Sequence, residues 1–300
     1  MKRGANEQQT ANPPILCVSN PVFLTFRGGT GIHSGPSHPE FTMSSPTAAE
    51  ITASVLVIGD EILSGRTKDS NIGTIAEFCT EIGIALREVR VVADDLDDIV
   101  GAVNALRKRY TYVFTTGGIG PTHDDITAEA VAAAFGVALP VNAEARHMLE
   151  SQYKSTDVSP ARLRMARIPE GASLIPNFVS GAPGFTMENV HVMAGVPKIM
   201  QAMLESLSGA LRTGTRLISK SISCGVGEST ISEELGIIQL DFPDVKIGSY
   251  PQMGKLPIYT HLVLRSADTA RLDSACARVQ ELVDRIHAER NITLPEEISE

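Results

Sequence analysis

Acidic residues recur three times in this chain just after an apolar run: Gly59-Asp60-Glu61, Asp94-Asp95 and, beyond a glycine turn, Asp124-Asp125. Carboxylates in such loops bind hard cations, orient a water or hydroxyl, or accept a proton. The third set belongs to the most informative stretch, Thr115-Thr116-Gly117-Gly118-Ile119-Gly120-Pro121-Thr122-His123-Asp124-Asp125-Ile126-Thr127. Glycines at 117, 118 and 120 permit backbone angles that other residues avoid, and they let a ligand approach the main chain closely. The helix expected over Ala128 to Phe135 offers free N–H groups to an anion. Two adjacent aspartates are unusual in a plain phosphate cradle. They point to a bound metal, or to groups that orient a water or hydroxyl.

Each of these features also has a plainer account. Gly59-Asp60-Glu61 reads equally as a turn whose acids cap a helix. Asp94 and Asp95 precede a helix, where the macrodipole favours acids in any case. Asp69 or Ser70, in the run Lys68-Asp69-Ser70-Asn71, reads as a helix cap or a ligand contact. His123 is a ligand contact or a solvent-facing loop residue. Gly195-Val196-Pro197-Lys198 is a turn into a helix start that carries a cation, suited to a phosphate or carboxylate, or else a tight connection with a surface lysine. Gly225-Val226-Gly227-Glu228-Ser229 opens a later helix and reads as packing or hinge. No G-x-x-x-x-G-K-[ST] loop, H-E-x-x-H or G-x-S-x-G occurs, and Gly117 to Gly120 lacks the spacing of a dinucleotide fingerprint.

The elements that position these loops alternate in type. Ala53 to Ile58 reads as a buried strand, Asn71 to Ile82 as a helix, Arg87 to Val92 as a strand and Leu96 to Tyr110 as an amphipathic helix. Tyr112-Val113-Phe114 is a further strand. Such repeats predict a parallel α/β sheet with right-handed crossovers. Ligands bind beyond the carboxyl ends of parallel strands, so the three acidic loops are expected on one sheet edge. Asn142 is the expected N-cap of a helix over Ala143 to Tyr153, and Glu188-Asn189 the turn of a hairpin. Pro197 begins a helix to about Leu211. From Gly214 the pattern becomes βαββα, a small α+β domain whose last helix carries Leu272, Cys276, Val279, Val283 and Ile286 as a stripe.

The bulk numbers set bounds. A hydrophobic fraction of 43% supports a full core, and a net charge of −9 disfavours nucleic acid and anionic membrane as partners. The four cysteines, Cys17, Cys79, Cys224 and Cys276, lack metal or disulfide spacing, which fits a reducing cytoplasm. No run is long enough for a membrane span, and no signal peptide is expected. Residues 1–48 hold six of the 17 prolines and read as a disordered tail, with Met43 a candidate true start. The expected domains are 49–213 and 214–300.

Ile58-Gly59-Asp60-Glu61-Ile62-Leu63-Ser64-Gly65, Asp69-Ser70-Asn71, Val92-Ala93-Asp94-Asp95, the glycine motif and Ala194-Gly195-Val196-Pro197 follow one another in order. This set resembles the molybdopterin-binding-type domain of the competence/damage-inducible protein A (CinA) family and the N-terminal domain of eukaryotic FAD synthases, over roughly Ile51 to Leu211. The later block, with Ile247-Gly248-Ser249-Tyr250-Pro251, resembles the small domain that follows in that family. The resemblance implies a three-layer αβα fold with a mostly parallel sheet and self-association as a dimer or trimer. Its pocket residues match Gly59, Asp60, Glu61, Asn71, Gly117, Gly118, Gly120, Pro121, Thr122, Asp124, Asp125 and Thr127 here. Related domains bind molybdopterin, and some adenylylate it. The branch that this chain looks closest to is associated with divalent-metal-dependent hydrolysis of nucleotide pyrophosphates such as ADP-ribose or FAD. The amidase domain of long CinA proteins and the FAD-synthesising domain are absent from the chain, so neither activity is expected.

The leading expectation is therefore a metal-dependent nucleotide pyrophosphatase. Asp60, Asp124 and Asp125 would hold Mg, Mn, Co or Ni, with Glu61 as base and the glycine turn and helix start, with Asp94, Gly195, Lys198 and Thr127, around the ligand. The alternatives are a molybdopterin-binding protein or adenylyltransferase, or a non-catalytic nucleotide sensor.

Overall fold

The computed structural model of the protein describes residues 50–154, 158–252 and 259–292. The expected tail over 1–48 lies outside them. In chain order the first elements are β1 (Thr52–Ile58), α1 (Asp60–Leu63), α2 (Asn71–Glu81), β2 (Ala85–Val92), α3 (Leu96–Arg109), β3 (Tyr112–Thr116) and α4 (Thr127–Phe135). Then follow α5 (Ala143–Tyr153), α6 (Pro160–Arg164), β4 (Ser173–Ile175), β5 (Gly184–Met187), β6 (Val190–Met193) and α7 (Pro197–Leu207).

These strands form one six-stranded sheet in the order β2-β1-β3-β6-β5-β4. β2, β1, β3 and β6 run parallel, while β5 is antiparallel to β6 and β4 to β5. The nearly continuous apolar run of β1, interrupted only by the buried Ser54, is explained by cover on both faces. Leu56 and Ile58 pack with α3, α4 and α5 on one face, and Val55 and Val57 pack with α2 and α7 on the other. The result is the expected three-layer αβα arrangement. Asn142 caps α5 by accepting from Ala145 N–H at 2.9 Å, and Glu188 takes the hairpin turn with φ of 51°.

After Gly214 come β7 (Ile218–Ser223), α8 (Glu228–Asp241), β8 (Lys246–Gln252), β9 (Tyr259–Ser266) and α9 (Thr269–Arg290). The strands form an antiparallel sheet in the order β7-β9-β8. One face is covered by α8 and α9 around a separate core that includes Leu262, Leu264, Leu272, Val279 and Val283. The connection into this unit is tied to the first. Gly214 N–H donates to Ile82 O at 3.1 Å, and a Cβ on Gly214 would stand 2.1 Å from Gly83 O, so the two segments touch through glycines. Cys79 and Cys224 are free and buried, and burial pushes the Cys79 thiol up to about 12. No helix among the described residues is long and apolar enough to cross a membrane.

Three short elements escape a reading by periodicity. α1 and α6 are single turns that bury no residue, and β4 is three residues long. Helix α7 ends at Leu207, one turn earlier than its apolar pattern suggests.

Candidate functional site

The four parallel strands end at one level. Ile58 pairs with Val92, Val57 with Thr116, and Thr116 with Met193. The segments that leave the sheet here are Gly59 to Leu63, Asp94-Asp95, Gly117 to Thr127 and Gly195 to Lys198, so all sequence-derived site segments share this carboxyl edge. They are also locked to one another. Gly59 N–H donates to Val92 O at 3.2 Å, and Gly117 N–H to Met193 O at 3.2 Å. A Cβ on Gly117, whose φ is 106°, would lie 2.1 Å from Ile58 O, and one on Gly195 would lie 3.3 Å from Gly117 Cα.

The acids divide by role. Asp95 caps α3, accepting from the N–H groups of Asp97 at 2.9 Å and Asp98 at 3.1 Å. Asp69 caps α2, accepting from Ile72 N–H at 2.8 Å, while Ser70 makes no side-chain cap. The capping accounts therefore hold at both positions. Asp94 is different: it accepts from Asp60 N–H at 3.0 Å and thereby joins the β2 and β1 loops. Burial pushes its carboxyl above the usual range, against the lowering effect of that N–H, and the negative charges of Asp60, Glu61 and Asp124 add to the rise. The three acidic loops thus share one electrostatic field. Glu61 folds back over Gly59, where an added Cβ would stand 2.6 Å from Glu61 Oε2, so the glycine makes room for this carboxylate.

Within the glycine loop, Asp125 serves the loop itself. Its Oδ1 accepts from Gly120 N–H at 2.7 Å, and its Oδ2 accepts from Thr122 N–H at 2.8 Å and from the Thr122 hydroxyl. Thr127 closes the turn by donating its hydroxyl to Gly117 O at 2.9 Å and its N–H to Gly118 O at 3.0 Å. A Cβ on Gly118 would meet Thr127 Oγ1 at 2.2 Å, and one on Gly120 would meet Asp125 Oδ2 at 2.6 Å. The protein's own packing therefore accounts for all three glycines, a reason separate from room for a ligand. The N–H groups of Gly118, Ile119, Ala128 and Glu129 have no protein partner among the described residues. Pro121, Thr122, His123 and Asp124 form the exposed tip, and His123 stands 3.9 Å from Asp124.

On the β6 side, Asn71 acts as a tie. It is 4% exposed, and its Nδ2 donates to Gly195 O at 2.8 Å and more weakly to Thr116 Oγ1 at 3.5 Å. Its Oδ1 is buried without a partner. Thr116 lies in the glycine-motif stretch but is not among the pocket residues read from the sequence, because a strand threonine gives no signal of a partner 45 positions away. Helix α7 starts at Pro197 with no side-chain cap, and Lys198 is exposed in its first turn. A cation at a helix N-terminus is locally unfavourable, which an anion bound there would offset. Gly225 to Ser229 lies apart in the second unit, where Ser249 donates to Glu228 and the motif opens α8.

A divalent cation is compatible with the oxygen donors at the β2 and β1 loops. Among the described residues no group of three or more His, Cys, Asp or Glu is close enough to hold a metal alone. Magnesium-type ions commonly use one or two carboxylates, with waters and ligand phosphates completing the shell.

Residues 54–213 match the family described as the probable molybdopterin binding domain, and residues 216–291 match the middle domain of FAD synthase. A protein from Archaeoglobus fulgidus is 31% identical over 230 residues, covering 77% of this chain and 97% of its own length. A CinA-like protein from Desulfosudis oleivorans is 35% identical over 209 residues, or 65% of this chain and 51% of that longer relative. The crystal structure of the protein CinA, of unknown function, from Thermoplasma acidophilum is 38% identical with a TM-score of 0.51, covering 54% of this chain and 98% of its own. With more than half of its length matched and its ordered motifs on one sheet edge, the chain belongs to the molybdopterin-binding-type family that includes the CinA-like proteins.

Proposed function

We propose that this protein is a divalent-metal-dependent hydrolase of nucleotide pyrophosphates of the ADP-ribose or FAD type. The observation that carries the reading is the order of groups along the carboxyl edge. Acids stand on the β2 and β1 loops, the glycine loop follows β3, and an uncapped helix start with Lys198 follows β6. Lys198 and the free N–H groups at the glycine loop and α4 hold and orient phosphate oxygens. One or two carboxylates drawn from Asp60, Asp94 and Asp124, with waters and the ligand's own phosphates, would hold the cation, which would supply charge neutralisation at the phosphates. Asp125 positions the loop. Glu61 takes the proton of the attacking water; the water oxygen bonds to phosphorus, one P–O–P bond breaks, and two phosphate esters leave. The test is hydrolysis of ADP-ribose and FAD with Mg, Mn, Co or Ni. Turnover that is lost in Asp60→Asn supports the proposal, and no turnover with any of these metals in folded protein refutes it.

The family match over 54–213 favours a second reading, in which the same edge binds the phosphate of a pterin, with or without adenylyl transfer. Tight molybdopterin binding without pyrophosphate hydrolysis would select it. A pocket that binds nucleotide and turns nothing over would indicate a sensor. Self-association as a dimer or trimer belongs to the same proposal and is checked by light scattering.

A further inference from the structure

A cavity of about 1070 Å³ lies at the other end of the sheet, between α2 and the second unit. It borders Ile51 and Ala85 at the starts of β1 and β2, whereas Gly59 and Asp94 follow their ends. The seven residues of β1 separate the two places by roughly 20 Å. The cavity is therefore distinct from the carboxyl edge, and its volume lies at the upper limit for small-molecule sites.

Its walls carry opposite charges. Glu77 and Glu81 line one side, four residues apart on α2, a spacing at which like charges repel on a helix. Lys246 and Arg265 line the other side as direct cross-strand partners on β8 and β9, where like charges also repel. Among the described residues none of these four forms an ion pair. Glu50 is already paired with Arg87, and Lys246 adds a weaker pull on that same carboxylate. Thr213, Thr215 and Ser219 add hydroxyls beside the basic wall. Ser219 is the cross-strand partner of Arg265 on β7.

Two locally unfavourable like-charge pairs of opposite sign, facing one cavity, are the kind of conflict that a ligand resolves. Lysine and arginine suit a phosphate, and carboxylates, being pure acceptors, suit hydroxyl groups. We propose that this cleft is a second binding site, for a phosphate ester that carries free hydroxyls: a sugar phosphate or a nucleotide, with its phosphate on Lys246 and Arg265 and its hydroxyls on Glu77 and Glu81. Such a ligand bridges α2 and the small sheet, so its occupancy couples the two units.

The test uses the full chain in a Lys198→Ala background, which removes the lysine anchor at the carboxyl edge. Ribose 5-phosphate and inorganic phosphate are titrated calorimetrically. Lys246→Ala/Arg265→Ala is expected to weaken ribose 5-phosphate by roughly tenfold or more, as two charge-assisted contacts are lost. Glu77→Ala/Glu81→Ala is expected to weaken ribose 5-phosphate and to tighten inorganic phosphate, because hydroxyl acceptors and repelling charges are removed together. All four positions are exposed, so thermal melts are expected to stay level or to rise slightly as the like-charge repulsion is relieved. No binding of ribose 5-phosphate at millimolar concentration, or equal affinity in both double variants, overturns the proposal. The two walls would then be charges that serve each other across an open cleft.

Discussion

Replacing Asp125 with alanine removes the acceptor for two N–H groups and one hydroxyl, at Gly120 and Thr122. Hydrogen bonds to a charged group contribute about 1.5–3 kcal/mol each when buried, and this loop is largely exposed, so the whole staple is taken as about 2 kcal/mol of local closure. That corresponds to about thirty-fold in the opening equilibrium of the loop. Native-state hydrogen exchange at Gly120 and Thr122 reads this directly. Both amides are expected to exchange about thirty-fold faster in Asp125→Ala. Gly117 N–H, which donates to Met193 O, and the amides of β1 are expected to keep their rates. Asp125→Asn retains one acceptor oxygen and is expected to fall between. The experiment is run without added metal, so it separates loop holding from metal ligation. If Gly120 and Thr122 exchange unchanged in a folded Asp125→Ala protein, the carboxylate does not hold the loop in solution and the positioning role fails.

Three further outcomes follow from the same geometry. His191 is 5% exposed beneath Phe114, and burial lowers its pKa from 6.5 to about 4. The unfolded chain then binds the proton first, so stability is full above pH 6.5 and falls toward pH 4 by up to roughly 3 kcal/mol, measured by urea unfolding; a flat profile would refute it. Gly117→Ala meets Ile58 O and forces φ of 106° on a Cβ residue, with an expected loss of more than about 2 kcal/mol, whereas Gly65→Ala, in open space at φ of 71°, is expected to cost about 1 kcal/mol. Lys198→Ala removes a cation from a helix start, so it is expected to stabilise the fold by about 0.3–1 kcal/mol while weakening phosphate binding, and equal phosphate affinity would remove Lys198 from the site.

Much of this arrangement was readable along the chain, and the reason is local. The apolar run at Ala53 to Ile58 and the stripe of Ile99, Val103 and Leu106 on α3 are consequences of burial on sheet faces, so periodicity reports them. The shared edge follows from parallel connections. What periodicity does not report is pairing at long range. The placement of β6 beside β3 joins segments far apart in the chain, and the bond from Asn71 to Gly195 O spans 124 positions. The glycines show a further limit. A Gly-rich turn looks the same whether it makes room for a ligand or for Ile58 O, Thr127 and Asp125, and only the packed loop distinguishes these. Asp125 was legible as important for a related reason, although its hydrogen bonds turn inward.

The order of charge along the carboxyl edge limits what can bind there. The β1 loop and the β6 loop are separated by β3, which places them roughly 10 Å apart at ordinary strand spacing. Among the described residues Lys198 forms no ion pair, and the Asp94 carboxyl still feels Asp60, Glu61 and Asp124 as unneutralised negative charge. The edge therefore does not satisfy itself. A lone anion would relieve Lys198 and the helix start but be repelled by the acids. A lone cation would relieve the acids and leave Lys198 facing solvent. A ligand that brings both signs, such as a phosphate with its own divalent cation, satisfies each end at once, and binding of phosphate and of metal at this edge should then be mutually reinforcing.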